Sequence, residues 1–192
     1  MYAICPLDGR YKKQVDALRE HVSEEAYIKH RVVVELRYLT FLAKTLKLPC
    51  DDLHVPENIT EEDIVAIKEI EAVTRHDVKA IEVFLRSFIK RYIPNFAHEQ
   101  YIHFALTSQD ANSLGYMLGY RSSVDVVLQA THDFLSTLRH LITSIHMHQV
   151  VMMARTHGQP AVPTYFAKEL YVKYHQIERQ YVKLMHSQKE LT

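Results

Sequence analysis

Residues 153–163 read Met153-Ala154-Arg155-Thr156-His157-Gly158-Gln159-Pro160-Ala161-Val162-Pro163. One imidazole stands here between hydrogen-bonding neighbours, Thr156 and Gln159. Gly158 and Pro160 cannot continue a helix, so the segment is a constrained linker that fixes where His157 points. Imidazole exchanges protons near neutral pH, the chemistry of a general acid or base held on a rigid turn. A solvated loop histidine is the plainer alternative, and the neighbouring clusters weigh against it.

Three further clusters carry polar chemistry. Asp8-Gly9-Arg10-Tyr11 reads as a tight turn presenting Arg10, a fork-shaped cation suited to phosphate or carboxylate, although an arginine in a turn is commonly just solvated. Arg75-His76-Asp77 falls at an expected helix start, where backbone N–H groups, an Arg and a His converge on an anion. Asp77 either orients His76 or caps the helix. Thr107-Ser108-Gln109-Asp110-Ala111-Asn112 opens the longest helical pattern. Its hydroxyls suit a carboxylate or phosphate, and it holds more polar groups than an N-cap requires. Together these clusters form an anion site with one acid–base group. No metal-ligand spacing or Gly-rich phosphate loop accompanies them, so neither metal nor nucleotide cofactor is expected. His146 and His148 lie two apart on a helix and are expected to be solvated.

Helices must position these groups. Ser23 caps a predicted helix whose apolar face is Ile28, Val32, Leu36, Leu39, Ala43 and Leu46, ended by Pro49. A loop with Cys50, Asp51 and Asp52 follows. Thr60-Glu61-Glu62-Asp63 is close to a capping box and starts a helix facing inward with Ile64, Ile67 and Ile70. The next helix begins near His76-Asp77, with Val78, Ile81, Leu85, Phe88 and Tyr92 inward, and Pro94 stops it. A helix from Ser108 to His146 carries Leu114, Met117, Val124, Leu128, Leu135, Leu138, Ile142 and Ile145, and the last line runs from Phe166 through Leu170, Tyr174, Ile177 and Tyr181 to Leu184.

No strand alternation persists, and only 4 Gly and 6 Pro punctuate the 192 residues. The expected class is all-α, with an N-terminal helical domain over 1–107 and the start of an elongated long-helix bundle over 108–192. Helices this long need partners of similar length, so the sequence is expected to be the front part of a longer polypeptide, completed by other subunits. Lys+Arg 23 against Asp+Glu 23 gives no field toward nucleic acid or membrane. Cys5 and Cys50, without metal spacing, suit a reducing cytosolic setting, and the N-terminus lacks the pattern of a signal peptide.

Four collinear motifs carry a resemblance: Pro6-Leu7-Asp8-Gly9-Arg10-Tyr11, His76-Asp77-Val78-Lys79-Ala80, His103-Phe104-Ala105-Leu106-Thr107-Ser108-Gln109-Asp110 and Arg155-Thr156-His157-Gly158-Gln159-Pro160-Ala161. On these the chain resembles the adenylosuccinate lyase family of the fumarase/aspartase superfamily. The resemblance implies non-hydrolytic C–N cleavage with release of fumarate, acting on adenylosuccinate to give AMP and on the succinyl-carboxamide ribotide of purine synthesis. It implies His157 as general acid and Thr156, Arg10, Tyr11, Arg75, His76, Asp77, Thr107 and Ser108 as substrate-binding positions, with Arg10 near the phosphate. It further implies a homotetramer whose sites combine segments of three subunits. The family's catalytic Ser loop, with Met-Pro-x-Lys-x-Asn-Pro after it, has no match here, so this chain alone is expected to be inactive. Another lyase of the superfamily, such as one acting on argininosuccinate, and a non-catalytic helical assembly module remain as alternatives.

Overall fold

A computed structural model describes residues 4–48 and 54–190. The expected helix stop at Pro49 and the loop residues Cys50, Asp51 and Asp52 lie outside the described residues. Six α-helices are present among the described residues: α1 (Arg19–Val22), α2 (Glu24–Thr45), α3 (Glu61–Thr74), α4 (Asp77–Tyr92), α5 (Ser108–Met147) and α6 (Phe166–Glu190). The chain divides into two compact units, Met1–Ser123 and Val124–Thr192, and the division falls inside α5.

In the first unit the core is the apolar faces of α2, α3 and α4. Val32, Leu39, Ile67, Ile81, Phe84, Leu85, Phe88 and Ile89 are almost wholly buried, as helical spacing requires of one face. Leu46 and Tyr92, placed inward by periodicity, are instead exposed at helix ends. Ser23 Oγ accepts from the Ala26 N–H and caps α2. The Thr60–Asp63 capping box is complete, and the same Asp63 takes Arg91 Nη1 at 2.6 Å. Arg91 also lies over the rings of Phe84 and Phe88. The start of α3 is thereby tied to the end of α4, which fixes the pair as antiparallel.

The first turns of α5 differ from the periodic reading. Leu114 and Met117 are exposed, and Ala111, Gly115 and Gly119 form the buried edge. A Cβ on Gly119 would lie 2.4 Å from the His21 carbonyl oxygen, and one on Gly115 would lie 3.3 Å from Arg31 Cγ. These small residues let the α5 backbone approach α2 and the chain just before it. Backbone contact of this kind admits no bulk.

In the second unit Val124, Leu128, Leu135 and Ile142 of α5 are buried. Of the predicted line on α6, Leu170, Tyr174, Ile177, Tyr181 and Leu184 are half-buried, while Phe166, at the first position of the helix, is exposed. The side chains of Gln188 and Asp125 are hydrogen-bonded, while Tyr165 and Tyr171 share a groove with Ile142 and His146, so the two helices run antiparallel.

The linker carrying His157 is a β-hairpin, β1 (Val151–Thr156) with β2 (Gln159–Tyr165), where the sequence reading held no strand. Pro160 and Pro163 hide it, because proline cannot donate to a ladder and argues against a strand. Here β2 is one of only two strands among the described residues, and the register shifts between Met153 and Arg155.

The contact distances predict opposite outcomes for two neighbouring glycines. Gly119→Ala destabilises the protein by about 1–3 kcal/mol despite the better helix propensity of alanine, because backbone must shift. Gly115→Ala stays within about 1 kcal/mol of the parent, since a flexible Arg31 methylene can yield. Urea unfolding of both variants checks this, and equal midpoints would refute the close-approach account.

Candidate active site

Asp8 organises the first cluster. Its carboxylate accepts from the backbone N–H of Cys5 at 2.8 Å and of Ile4 at 3.2 Å, and the Cys5 bond holds its pKa below the usual range. Tyr11 N–H closes the turn on Pro6 O, and the Arg10 guanidinium lies over the Tyr11 ring, 5.6 Å from its centroid. Arg10 and Tyr11 are thus presented together at the surface.

The second and third clusters meet. α3 ends on Arg75, whose φ of 55° is left-handed, a conformation usually given to Gly or Asn. The chain turns there at once into α4. His76 itself is the N-cap, its Nδ1 accepting from Lys79 N–H at 3.2 Å, which places the neutral ring's proton on Nε2. That Nε2 is 3.4 Å from Ser108 Oγ at the start of α5. Asp77, for which the sequence left orienting and capping open, is not the cap. It pairs with Arg31 Nη2 at 3.2 Å and has an oxygen 3.6 Å from His76 Nδ1. Thr107 gives both its N–H and its hydroxyl to Asp110, at 2.7 and 2.9 Å, and the Thr107 N–H bond draws the Asp110 pKa down. Asp110 thereby holds the first turn of α5 in place.

A pocket of about 620 Å³ adjoins His76 and is lined in part by Tyr27, Arg31, Arg75, Asp77 and Tyr116. Its acidic groups are paired within the protein: Glu24 and Glu71 share the one ammonium of Lys68, and Asp77 has Arg31. The arrangement offers Arg75, a hydroxyl and an Nε2–H to an anionic ligand. Among the described residues no hydrogen bond joins Arg10 to His76 or Ser108, and the second and third clusters are the two that meet.

The sequence reading missed three groups that support this region. Arg31 and Glu35 are buried charges on α2, and His103 Nδ1 lies 2.6 Å from Glu35 Oε1. Burial raises the Glu35 pKa, and the bond to His103 opposes it. Both α2 residues sit at polar positions in an otherwise apolar helix pattern, a faint signal. His103 stood within a quoted motif without a role of its own.

In the second unit His157 and Gly158 are the two central residues of the hairpin, with φ of 46° and 79°. Positive φ at both is the requirement of a type I′ turn, the two-residue connection that matches strand twist. Thr156 pairs with Gln159 across it, and Arg155 Nη1 donates to Gly158 O at 3.1 Å. His157 is exposed at the tip of the hairpin. Groups of His, Cys, Asp and Glu able to hold a metal ion are absent among the described residues, and no described helix is long and apolar enough to cross a membrane.

A profile described as Lyase matches residues 9–192, and the chain belongs to that lyase family. Its relatives include adenylosuccinate lyases: that of Vibrio cholerae is 35% identical over 93% of this chain, that of Dictyostelium discoideum 38% over 93%, and that of Escherichia coli K12 35% over 95%. The chain spans only about two fifths of their length, 41% to 42%. The 3-carboxy-cis,cis-muconate lactonizing enzyme of Pseudomonas putida shares the fold, with a TM-score of 0.68, 20% identity, and coverage of 89% of this chain and 39% of that one.

Capping and chemistry at His76 separate by substitution. His76→Ala removes the cap and lowers stability by about 0.5–2 kcal/mol, whereas His76→Asn keeps a capping acceptor and stays near the parent. Thermal unfolding of the two variants measures this, and equal losses would exclude a capping role.

Proposed function

We propose that this chain forms part of an adenylosuccinate lyase, cleaving the C–N bond of adenylosuccinate to AMP and fumarate, and that of the succinyl-aminoimidazole-carboxamide ribotide in the same way. The observation that carries the reading is the order of the motifs along a chain whose relatives are adenylosuccinate lyases, two of those motifs meeting at His76 and Ser108.

The reaction begins with removal of a proton from the carbon beside a carboxylate, leaving a carbanion delocalised into that carboxylate. The C–N bond then breaks, and the departing nitrogen takes a proton from His157. Thr107 and Ser108, at a helix N-terminus, receive the succinyl carboxylates, where backbone N–H groups and hydroxyls favour accumulated negative charge. Thr156 contacts substrate beside the acid. Arg75, His76 and Asp77 form the second binding segment. Arg10 takes the phosphate, with Tyr11 alongside it. The base comes from outside these residues, and the chain alone does not turn over substrate.

The working form is a homotetramer in the cytosol, in which subunits share each site. Exposed apolar side chains on long helices support this assembly: Tyr116, Tyr120 and Phe134 on α5, and Tyr171 and Val172 on α6. Surfaces of this kind are normally covered.

Fumarate release from adenylosuccinate, compared with argininosuccinate, tests the reading on the full protein. Turnover is expected for the first, and a preference for the second would reject the phosphate-binding assignment. His157→Asn places Asn-Gly, the preferred pair for a type I′ turn, so the hairpin persists while turnover falls by about two to four orders of magnitude. A loss below about fivefold would dismiss His157 as the acid. Arg10→Ala raises KM more than it lowers kcat, as loss of binding common to ground and transition states should, and an unchanged KM would remove Arg10 from the phosphate.

A further inference from the structure

Four charged or acidic side chains are buried in the described chain: Arg31, Glu35, Asp63 and Glu82. Asp63 serves the α3 cap and Arg91, and Glu82 pairs with Lys79 and Arg86 on its own helix. Arg31 and Glu35 do neither. They stand four residues apart, one turn along the same face of α2, and each reaches out of its helix to a different segment. The Arg31 guanidinium, 10% exposed, holds Asp77. Glu35, its carboxylate 1% exposed, holds His103. A third residue of α2, Tyr38, donates its hydroxyl to Phe104 O at 3.0 Å, so α2 grips two consecutive residues of the loop that leads into Thr107.

That loop is strained. His103 and Ala105 have φ of 60° and 59°, left-handed values that non-glycine residues keep only where surroundings over-determine them. Stability does not explain Glu35. Its Oε2 is buried without a hydrogen-bond partner among the described residues, and an apolar residue of similar size would avoid that cost. What the pair does is placement.

We propose that Arg31 and Glu35 are positioning residues, Arg31 setting His76 through Asp77, and Glu35 setting the Thr107–Ser108 turn through His103. α2 is then a bracket that fixes the separation of the two segments meeting at His76 Nε2 and Ser108 Oγ. Arg31 keeps the Asp77 carboxylate, 3.6 Å from His76 Nδ1, from drawing a proton onto that nitrogen, which must stay free to accept from Lys79 N–H. Glu24 of α2 and Glu71 and Arg75 of α3 face the same pocket, and the two glutamates are held by Lys68. The role rests on the lyase reading only for its effect on turnover.

The test uses nitrogen-15 spectra of His76 and His103, with kcat and KM for adenylosuccinate, on the full protein and its Arg31→Gln and Glu35→Gln variants. The parent should show His76 as the Nε2–H tautomer and a strongly deshielded Nδ1 proton on His103. Arg31→Gln should mix the His76 tautomers, and Glu35→Gln should remove the deshielded proton. Each should lower kcat by about tenfold or more, the scale of a misplaced group, with unchanged far-ultraviolet circular dichroism. Arg31→Lys should recover the single tautomer. Unaltered imidazole spectra in both variants, or kcat within about twofold of the parent, would overturn the proposal. Should the glutamine variants fail to fold, Arg31→Met for His76 and Glu35→Asp for His103 carry the test, and imidazole spectra shifted by neither would likewise overturn it. A parent inactive on adenylosuccinate would remove the lyase reading, while the spectra would still decide the bracket.

Discussion

The close approach of α5 to α2 and the chain preceding it governs the first unit. Ala111, Gly115 and Gly119 recur every fourth residue along one edge, and the space beside Gly119 is already filled by a backbone carbonyl. With larger residues there, α5 would stand farther off, and its first turn would not reach α4. The same approach lays the Arg31 stem alongside Gly115, while its guanidinium is directed by Asp77.

His76 and His157, one in each unit, both stand where local backbone geometry is tightly defined. His76 is held because a helix start needs an acceptor for an unpaired N–H, and supplying it settles which ring nitrogen carries the neutral ring's proton. His157 sits at the first central position of a type I′ turn, where both central residues are left-handed. Neither relies on burial, so each ring remains accessible, and that of His76 is oriented by its bonds to Lys79 N–H and toward Ser108 Oγ. The supporting charges follow another rule. Arg31 and Glu35 are buried, and each is matched to a partner on another segment.

Helical periodicity revealed most of the framework. The caps at Ser23 and Thr60, the start of α4 at His76-Asp77, and the span of α5 from Ser108 all follow from side-chain type and spacing, because capping and one-face burial are local or nearly local effects. The hairpin around His157 was hidden because Pro160 and Pro163 speak against a strand, and their tolerance depends on lying where no partner needs their N–H. Leu114 and Met117 were placed inward because hydrophobicity was the only guide, whereas close packing there selects smallness. The clusters at Arg75–Asp77 and Thr107–Ser108 were legible from their polar density. Their meeting, and the part played by Arg31, Glu35 and His103, depend on residues far apart in sequence, which no local pattern records.

α5 runs unbroken for 40 residues, about 60 Å at 1.5 Å per residue. Such an element counts its residues. One residue inserted just after Ser108 would turn Ala111, Gly115 and Gly119 by about 100° about the axis and away from α2, whereas adding three or four would nearly restore the facing. The length of this stretch is therefore quantised: point substitutions can accumulate along its exposed sides, but insertions and deletions are confined to whole turns or pushed into the loops at its ends.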